Sequence, residues 1–215
     1  MAFVNALLAI CDEGDEVILM SPYYFNHEMA VTMAGCLPVV VNTDQHFQID
    51  VDAVASAITD NTRAVVTISP NNPSGAVYPE EDLCKLNRLC AEQGVFHIHD
   101  EAYEYFLYDD AEHFSPGSIP DAKNHTISLY SLSKAYGFAS WRVGYMRIPI
   151  HLHDAVAKIQ DTIVICPPII SQFAATAALD TGVGYCRHHF KAIAKRRSTV
   201  LTALTELEPM VQVPK

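Results

Sequence analysis

At 215 residues, half of them hydrophobic and 18% charged, the chain carries enough apolar surface for a large core, which excludes a disordered, fibrous or collagenous polypeptide. Fourteen Lys and Arg against 25 Asp and Glu give a formal net charge of −11, which argues against nucleic-acid binding and a basic membrane-surface patch but not against a local basic pocket. Six scattered cysteines without a C-x-x-C pair read as reduced core thiols of a cytoplasmic protein.

In chain order, residues 1–11 have helical periodicity and run into the acids Asp12, Glu13, Asp15 and Glu16 with no cationic leader, so they do not read as a secretion signal. A short apolar strand at 16–20 precedes a helix at 25–34 and a second strand at 37–41. A short helix at 52–58 leads to a buried strand at 63–69 (RAVVTIS). Residues 80–94 are amphipathic, with Leu83, Leu86, Leu89 and Cys90 on one stripe and Gly94 as the C-cap. Strands follow at 95–99, 126–131 and 142–148, and from residue 151 the chain is mainly helical. Its apolar stretch at 162–179 holds Pro167, Pro168, Ser171 and Gln172, a poor membrane span. A long helix at 186–207 has a basic middle of Lys191, Lys195, Arg196 and Arg197, and residues 211–215 resemble the start of a further strand. Strands alternating with helices predict an α/β fold with a mostly parallel sheet. The first helix has no N-cap ahead of it, and both ends read as cut.

Parallel sheets place ligands beyond the carboxyl ends of their strands. After RAVVTIS come Pro70-Asn71-Asn72-Pro73-Ser74-Gly75; after VFHIH come Asp100-Glu101-Ala102-Tyr103-Glu104; after TISLY come Ser131-Leu132-Ser133-Lys134, with Arg142 eight residues further on. Three successive strands thus end in polar, reactive side chains, which core packing does not require. Singly, each has an ordinary structural explanation: Lys134 a surface cation, Asp100 an N-cap, Asn72 and Gly75 turn formers, Tyr24 a core residue. His97 and His99 share a strand face opposite to Asp100, and without a third ligand at an obvious spacing they read as packed, hydrogen-bonded histidines rather than zinc ligands. The hydrophobic run into Asp100-Glu101 has no accompanying P-loop, Gly182-x-Gly184 lacks the third glycine of a dinucleotide fingerprint, and no G-x-S-x-G elbow occurs.

The motifs NNPSG (71–75), DEAYE (100–104) and SLSKAYGFASWRVGY (131–145), with the opening ALLAICDEGDEVILMSPYYFNH (6–27), resemble the fold-type I pyridoxal-phosphate (PLP) enzymes, specifically the class I/II aminotransferases, over essentially the whole chain. The resemblance implies a three-layer sandwich, its mostly parallel sheet flanked by helices. It also implies transfer of an amino group between an L-amino acid and a 2-oxo acid through a lysine aldimine, in a full-length parent that is a homodimer, with no nucleic-acid or membrane partner and no metal. Lys134 would hold the cofactor's aldehyde and shuttle the substrate's α-proton. Asp100 would keep the pyridine nitrogen protonated, and Asn72 and Tyr103 would donate to the phenolic oxygen. Arg142, Ser131 and Ser133 would bind the phosphate, and Tyr24 would cover the ring face. The resemblance also implies a cis bond at Asn72-Pro73. Residues 1–185 then correspond to a partial PLP-binding large domain, and 186–215 to a helix leading towards a small C-terminal domain. The family's Gly-rich phosphate loop would lie before Met1 and its substrate-carboxylate arginine beyond Lys215. Two other readings stay open: a lyase or synthase of the same fold (C–S lyase or aminocyclopropane carboxylate synthase type), and a non-catalytic fragment.

Overall fold

Helix α1 (Ala2–Ile10) feeds β1 (Glu16–Ser21), α2 (Phe25–Met33) feeds β2 (Leu37–Asn42), and α3 (Val51–Ala57) feeds β3 (Thr62–Ile68). Then α4 (Glu80–Gln93) crosses to β4 (Phe96–Asp100). Two 3-10 turns, Pro116–Ser118 and Pro120–Asn124, precede β5 (Thr126–Ser131), which runs directly into the one-turn helix α5 (Leu132–Ala135). After β6 (Gly144–Arg147) come α6 (His153–Ile163), α7 (Ile169–Thr181) and α8 (Val183–Thr205). The structure, a computed structural model, describes residues 1–207 and 210. The strand expected at 211–215 therefore lies outside the described residues.

The strands form one sheet in the order β2-β1-β3-β4-β5-β6, parallel except for β6, which pairs antiparallel with β5. Alternation along β1 defines two packed faces. Val17 and Leu19 meet Leu7, Val31, Val66 and Ile98 on one side; Ile18 and Met20 meet Val54, Val65, Leu83 and Leu86 on the other. Helices cover both faces, so the inner strands need no polar alternation and read as continuous apolar runs. On α4 the expected stripe is sealed at Leu83, Leu86 and Cys90, whereas Leu89 is half-buried. Gly94 ends that helix at φ 68°, its N–H bonded to the Cys90 and Ala91 carbonyls.

Some boundaries differ from the sequence pattern. The last strand begins at Gly144 rather than 142, because Arg142 takes a left-handed conformation at φ 53°. The helical region is divided at Pro167-Pro168 and at Gly182, so α8 starts at Val183. Cys36, Cys90 and Cys186 are buried thiols, Cys11 and Cys84 are half-buried, and Cys166 is exposed between α6 and α7, so not all six belong to the core. All are free. No helix among the described residues is long and apolar enough to cross a membrane.

A polar chain runs through the core beside β3 and β4. The Asn87 amide donates to His97 Nδ1 at 3.0 Å and to Thr126 Oγ1 at 2.8 Å, while its carbonyl accepts from His125 Nε2 at 3.0 Å. With Nδ1 accepting, His97 carries its proton on Nε2 and donates to Thr67 Oγ1 at 2.7 Å; that hydroxyl donates onward to His99 Nδ1 at 2.6 Å. The chain stops at His99 Nε2, which is buried without a partner. Burial, and then the neighbouring His125, lowers the His97 pKa to about 3, and burial holds His99 well below the usual imidazole range. The histidine pair is thus the packed, hydrogen-bonded pair expected.

Candidate active site

Three strand ends converge where β4 and β5 finish and β6 begins. Asp100 is the last residue of β4, and its Oδ1 accepts the Ala102 N–H at 3.0 Å, which fixes the carboxylate at the turn. Its Oδ2 meets His27 Nε2 at 3.1 Å. His27 lies on α2, 4% exposed, with its ring tilted against Phe3 at a centroid distance of 4.2 Å and its Nδ1 unpartnered. A proton on Nε2 therefore points at the carboxylate.

Ser131 ends β5 and caps α5, its Oγ accepting the Ser133 N–H at 3.2 Å. Lys134 follows in the same turn, with Nζ 5.7 Å from the centre of the Tyr103 ring. Arg142 precedes β6, and its Nη1 donates to the Ala139 carbonyl at 2.8 Å, leaving the other guanidinium N–H groups free for a ligand. The chain can turn here because Gly144 lacks a side chain: a Cβ would stand 2.6 Å from the Tyr130 carbonyl oxygen.

A cleft of about 860 Å³ opens between these elements, α1, α2 and α6. Of the eight residues singled out in the sequence, Tyr24, Asp100, Ser131, Ser133 and Arg142 line it. Lys134, next to the lining Ser133 in the chain, sits over the Tyr103 ring, and neither of the two lines the cleft. Asn72 lies in the turn after β3, half-buried, with no side-chain hydrogen bond among the described residues. Its neighbour Asn71 builds that turn, with Oδ1 accepting the Ser74 N–H at 3.1 Å and the Ser74 hydroxyl at 2.8 Å. The Asn72-Pro73 peptide is cis, as are Ser21-Pro22 and Ser69-Pro70. The Tyr24 ring stands T-shaped to His27 at a centroid distance of 5.5 Å, and its hydroxyl accepts from Asn26 Nδ2 at 2.6 Å.

Sequence reasoning missed two features. His27 has no local signature, since its partner is 73 residues away. Beneath the Tyr103 segment, ligand atoms of Glu101, Glu104 and His113 lie within 4.8 Å of one another. Glu101, 1% exposed, accepts from His113 Nε2 at 2.8 Å and from the Ser115 hydroxyl at 2.7 Å, which ties down both ends of the connection after β4. Burial, and then the Glu101 charge, raises the Glu104 carboxyl to about 7. These ligand atoms exclude His97 and His99, both already bonded to Thr67.

Comparison with known proteins gives the family. The family model for aminotransferase class I and II matches residues 2–214. A probable aspartate/prephenate aminotransferase of Aquifex aeolicus is 37% identical over 98% of this chain and 55% of the relative. An aromatic aminotransferase of Arabidopsis thaliana is 36% identical over 96% of this chain and 53% of its own length. Among solved structures, the aspartate aminotransferase of Thermus thermophilus with maleate superposes with a TM-score of 0.89 at 39% identity, covering 96% of this chain and 55% of that one. The chain belongs to the class I and II aminotransferase family, whose members depend on PLP, and it spans about half the length of the curated relatives it matches.

Proposed function

We propose that this family member serves a PLP-dependent aminotransferase that moves an amino group between an L-amino acid and a 2-oxo acid in amino-acid metabolism. The observation that carries the reading is one cleft in which a strand-end carboxylate, a guanidinium, two serine hydroxyls and an aromatic ring face the same space, with a lysine on the adjoining turn. That donor set fits PLP. Arg142 with Ser131 and Ser133 matches a doubly charged phosphate, Asp100 matches a protonated ring nitrogen, and Tyr24 offers an aromatic face. When bound, PLP supplies an aldehyde to take up the amino group and an electron-withdrawing ring.

The chain's own residues do the rest. Lys134 Nζ would hold the cofactor's aldehyde and would carry a proton to and from the substrate α-carbon. Asp100 would keep a proton at the ring nitrogen, and His27 and the Ala102 N–H hold its carboxylate in place. Tyr103 sits against Lys134 and, with Asn72, supplies neutral donors for the phenolic oxygen. The names of the relatives support aspartate or an aromatic amino acid as the donor. The whole protein works in the cytoplasm as a homodimer: Phe25, Met29 and Met33 on α2, and Ile169, Ile170 and Phe173 on α7, are exposed apolar residues that a partner surface would cover. Residues 1–185 would form part of the cofactor-binding domain, with the boundary inside α8, and 186–215 would lead to a smaller domain.

The test is product analysis of the full-length protein given PLP, L-aspartate or L-phenylalanine, and 2-oxoglutarate. Glutamate together with a 2-oxo acid that keeps the donor's side chain supports amino transfer. Loss of the side chain as a leaving group, or no product, rejects it.

A further inference from the structure

A second cavity lies at the other end of the β5–β6 pair and shares the wall residue Ile148 with the cleft. It measures about 450 Å³, and its lining includes Gly117, Lys123, Asn124, Thr126 and Arg147. No acidic residue lines it among the described residues. Lys123 and Arg147 form no ion pair there either, although the chain has 25 acids and a net charge of −11.

Behind this cavity, outside its lining, lies a buried hydroxyl with no hydrogen-bond partner among the described residues. Ser128 is paired with Arg147 across the β5–β6 ladder, so the two side chains share one face of the sheet. Ser128 is 0% exposed, and its Oγ is buried with no hydrogen-bond partner beside the Tyr130 hydroxyl. A Cβ on Gly117 would stand 2.6 Å from this oxygen and 3.3 Å from Arg147 Nη1. The hydroxyl and the guanidinium therefore converge on the bare backbone of residue 117, at the edge of the cavity.

We propose that this cavity binds a small phosphate-bearing anion, inorganic phosphate or a phosphate monoester, independently of the cleft. The Arg147 guanidinium grips two phosphate oxygens, the Lys123 ammonium neutralises the remaining charge, and the Asn124 amide donates from the rim. Two cations with no ion pair among the described residues give a locally positive potential in one concavity on an acidic protein, which concentrates such an anion there. β5 and β6 connect the two sites: Thr126 and Arg147 line this cavity, while Ser131 and Gly144 line the cleft.

Inorganic phosphate titrated calorimetrically into the chain tests the proposal. Arg142 in the cleft also attracts phosphate, so three proteins are compared: the unmodified chain, Arg142→Gln, and the double variant Lys123→Gln/Arg147→Gln. Arg142→Gln is expected to retain one binding event, which the double variant weakens by about tenfold or more, the worth of a lost charge-assisted hydrogen bond. A second readout needs no variant: phosphate is expected to shield Lys123 from acetic anhydride, measured by peptide mass. Binding lost in Arg142→Gln but intact in the double variant, or equal acetylation of Lys123 with and without phosphate, overturns the proposal.

Discussion

Thr67→Val isolates the polar chain through the core without changing its shape. Thr67 is 1% exposed, and its hydroxyl links His97 Nε2 at 2.7 Å to His99 Nδ1 at 2.6 Å. Valine fills the same space and leaves a donor on His97 and an acceptor on His99 unpaired. Each orphaned buried group costs about 1–3 kcal/mol, so the variant should lose about 2–6 kcal/mol, a large share of a typical domain's stability. For a chain of this size that lowers the melting temperature by roughly 2–4 °C per kcal/mol. Thr67→Ser keeps the hydroxyl and should recover most of the loss. Urea unfolding followed by circular dichroism measures all three proteins. A Thr67→Val loss below about 1 kcal/mol would refute the reasoning that a buried hydroxyl satisfies both imidazoles.

Three further outcomes are expected. Stability should fall as pH drops from 6.5 to 4.5, because His97 and His99 stay neutral when folded but protonate when unfolded, with His125 shifted the same way. Glu104, raised to about 7, opposes them by binding a proton in the folded state that the unfolded chain releases. The slope is about 1.4 kcal/mol per pH unit for each net proton, and Glu104→Gln should steepen it; a flat profile in both proteins contradicts the assignment. Gly144→Ala should cost about 1–3 kcal/mol, since its Cβ would stand 2.6 Å from the Tyr130 carbonyl oxygen, and an unfolding curve unchanged from the parent would exclude that close approach. His27→Phe keeps the packing on Phe3 but removes the contact to Asp100, so PLP affinity, followed by fluorescence, should weaken by about tenfold; unchanged affinity would deny His27 a positioning role.

The sheet was legible because a parallel sheet buried on both faces demands apolar runs and then a polar break. RAVVTIS, VFHIH and TISLY each carry that pattern and mark the strand ends where the candidate residues stand. What pattern reading missed depends on contacts between distant residues. Arg142 shortens β6 through a left-handed backbone that only the packing of Gly144 on β5 explains. The His27–Asp100 contact joins α2 to β4, and Glu101 meets His113 across a connection without periodicity. Cys166 looked like a core thiol by composition, yet it falls in the exposed turn between α6 and α7, beside the exposed Val164, Ile165 and Ile169.

The account depends most on Lys134. Borohydride reduction of the PLP-loaded protein, followed by peptide mass mapping, should place the pyridoxyl group on the peptide containing Lys134 and nowhere else. PLP fixed to a different lysine, or bound without any reducible link, would contradict it.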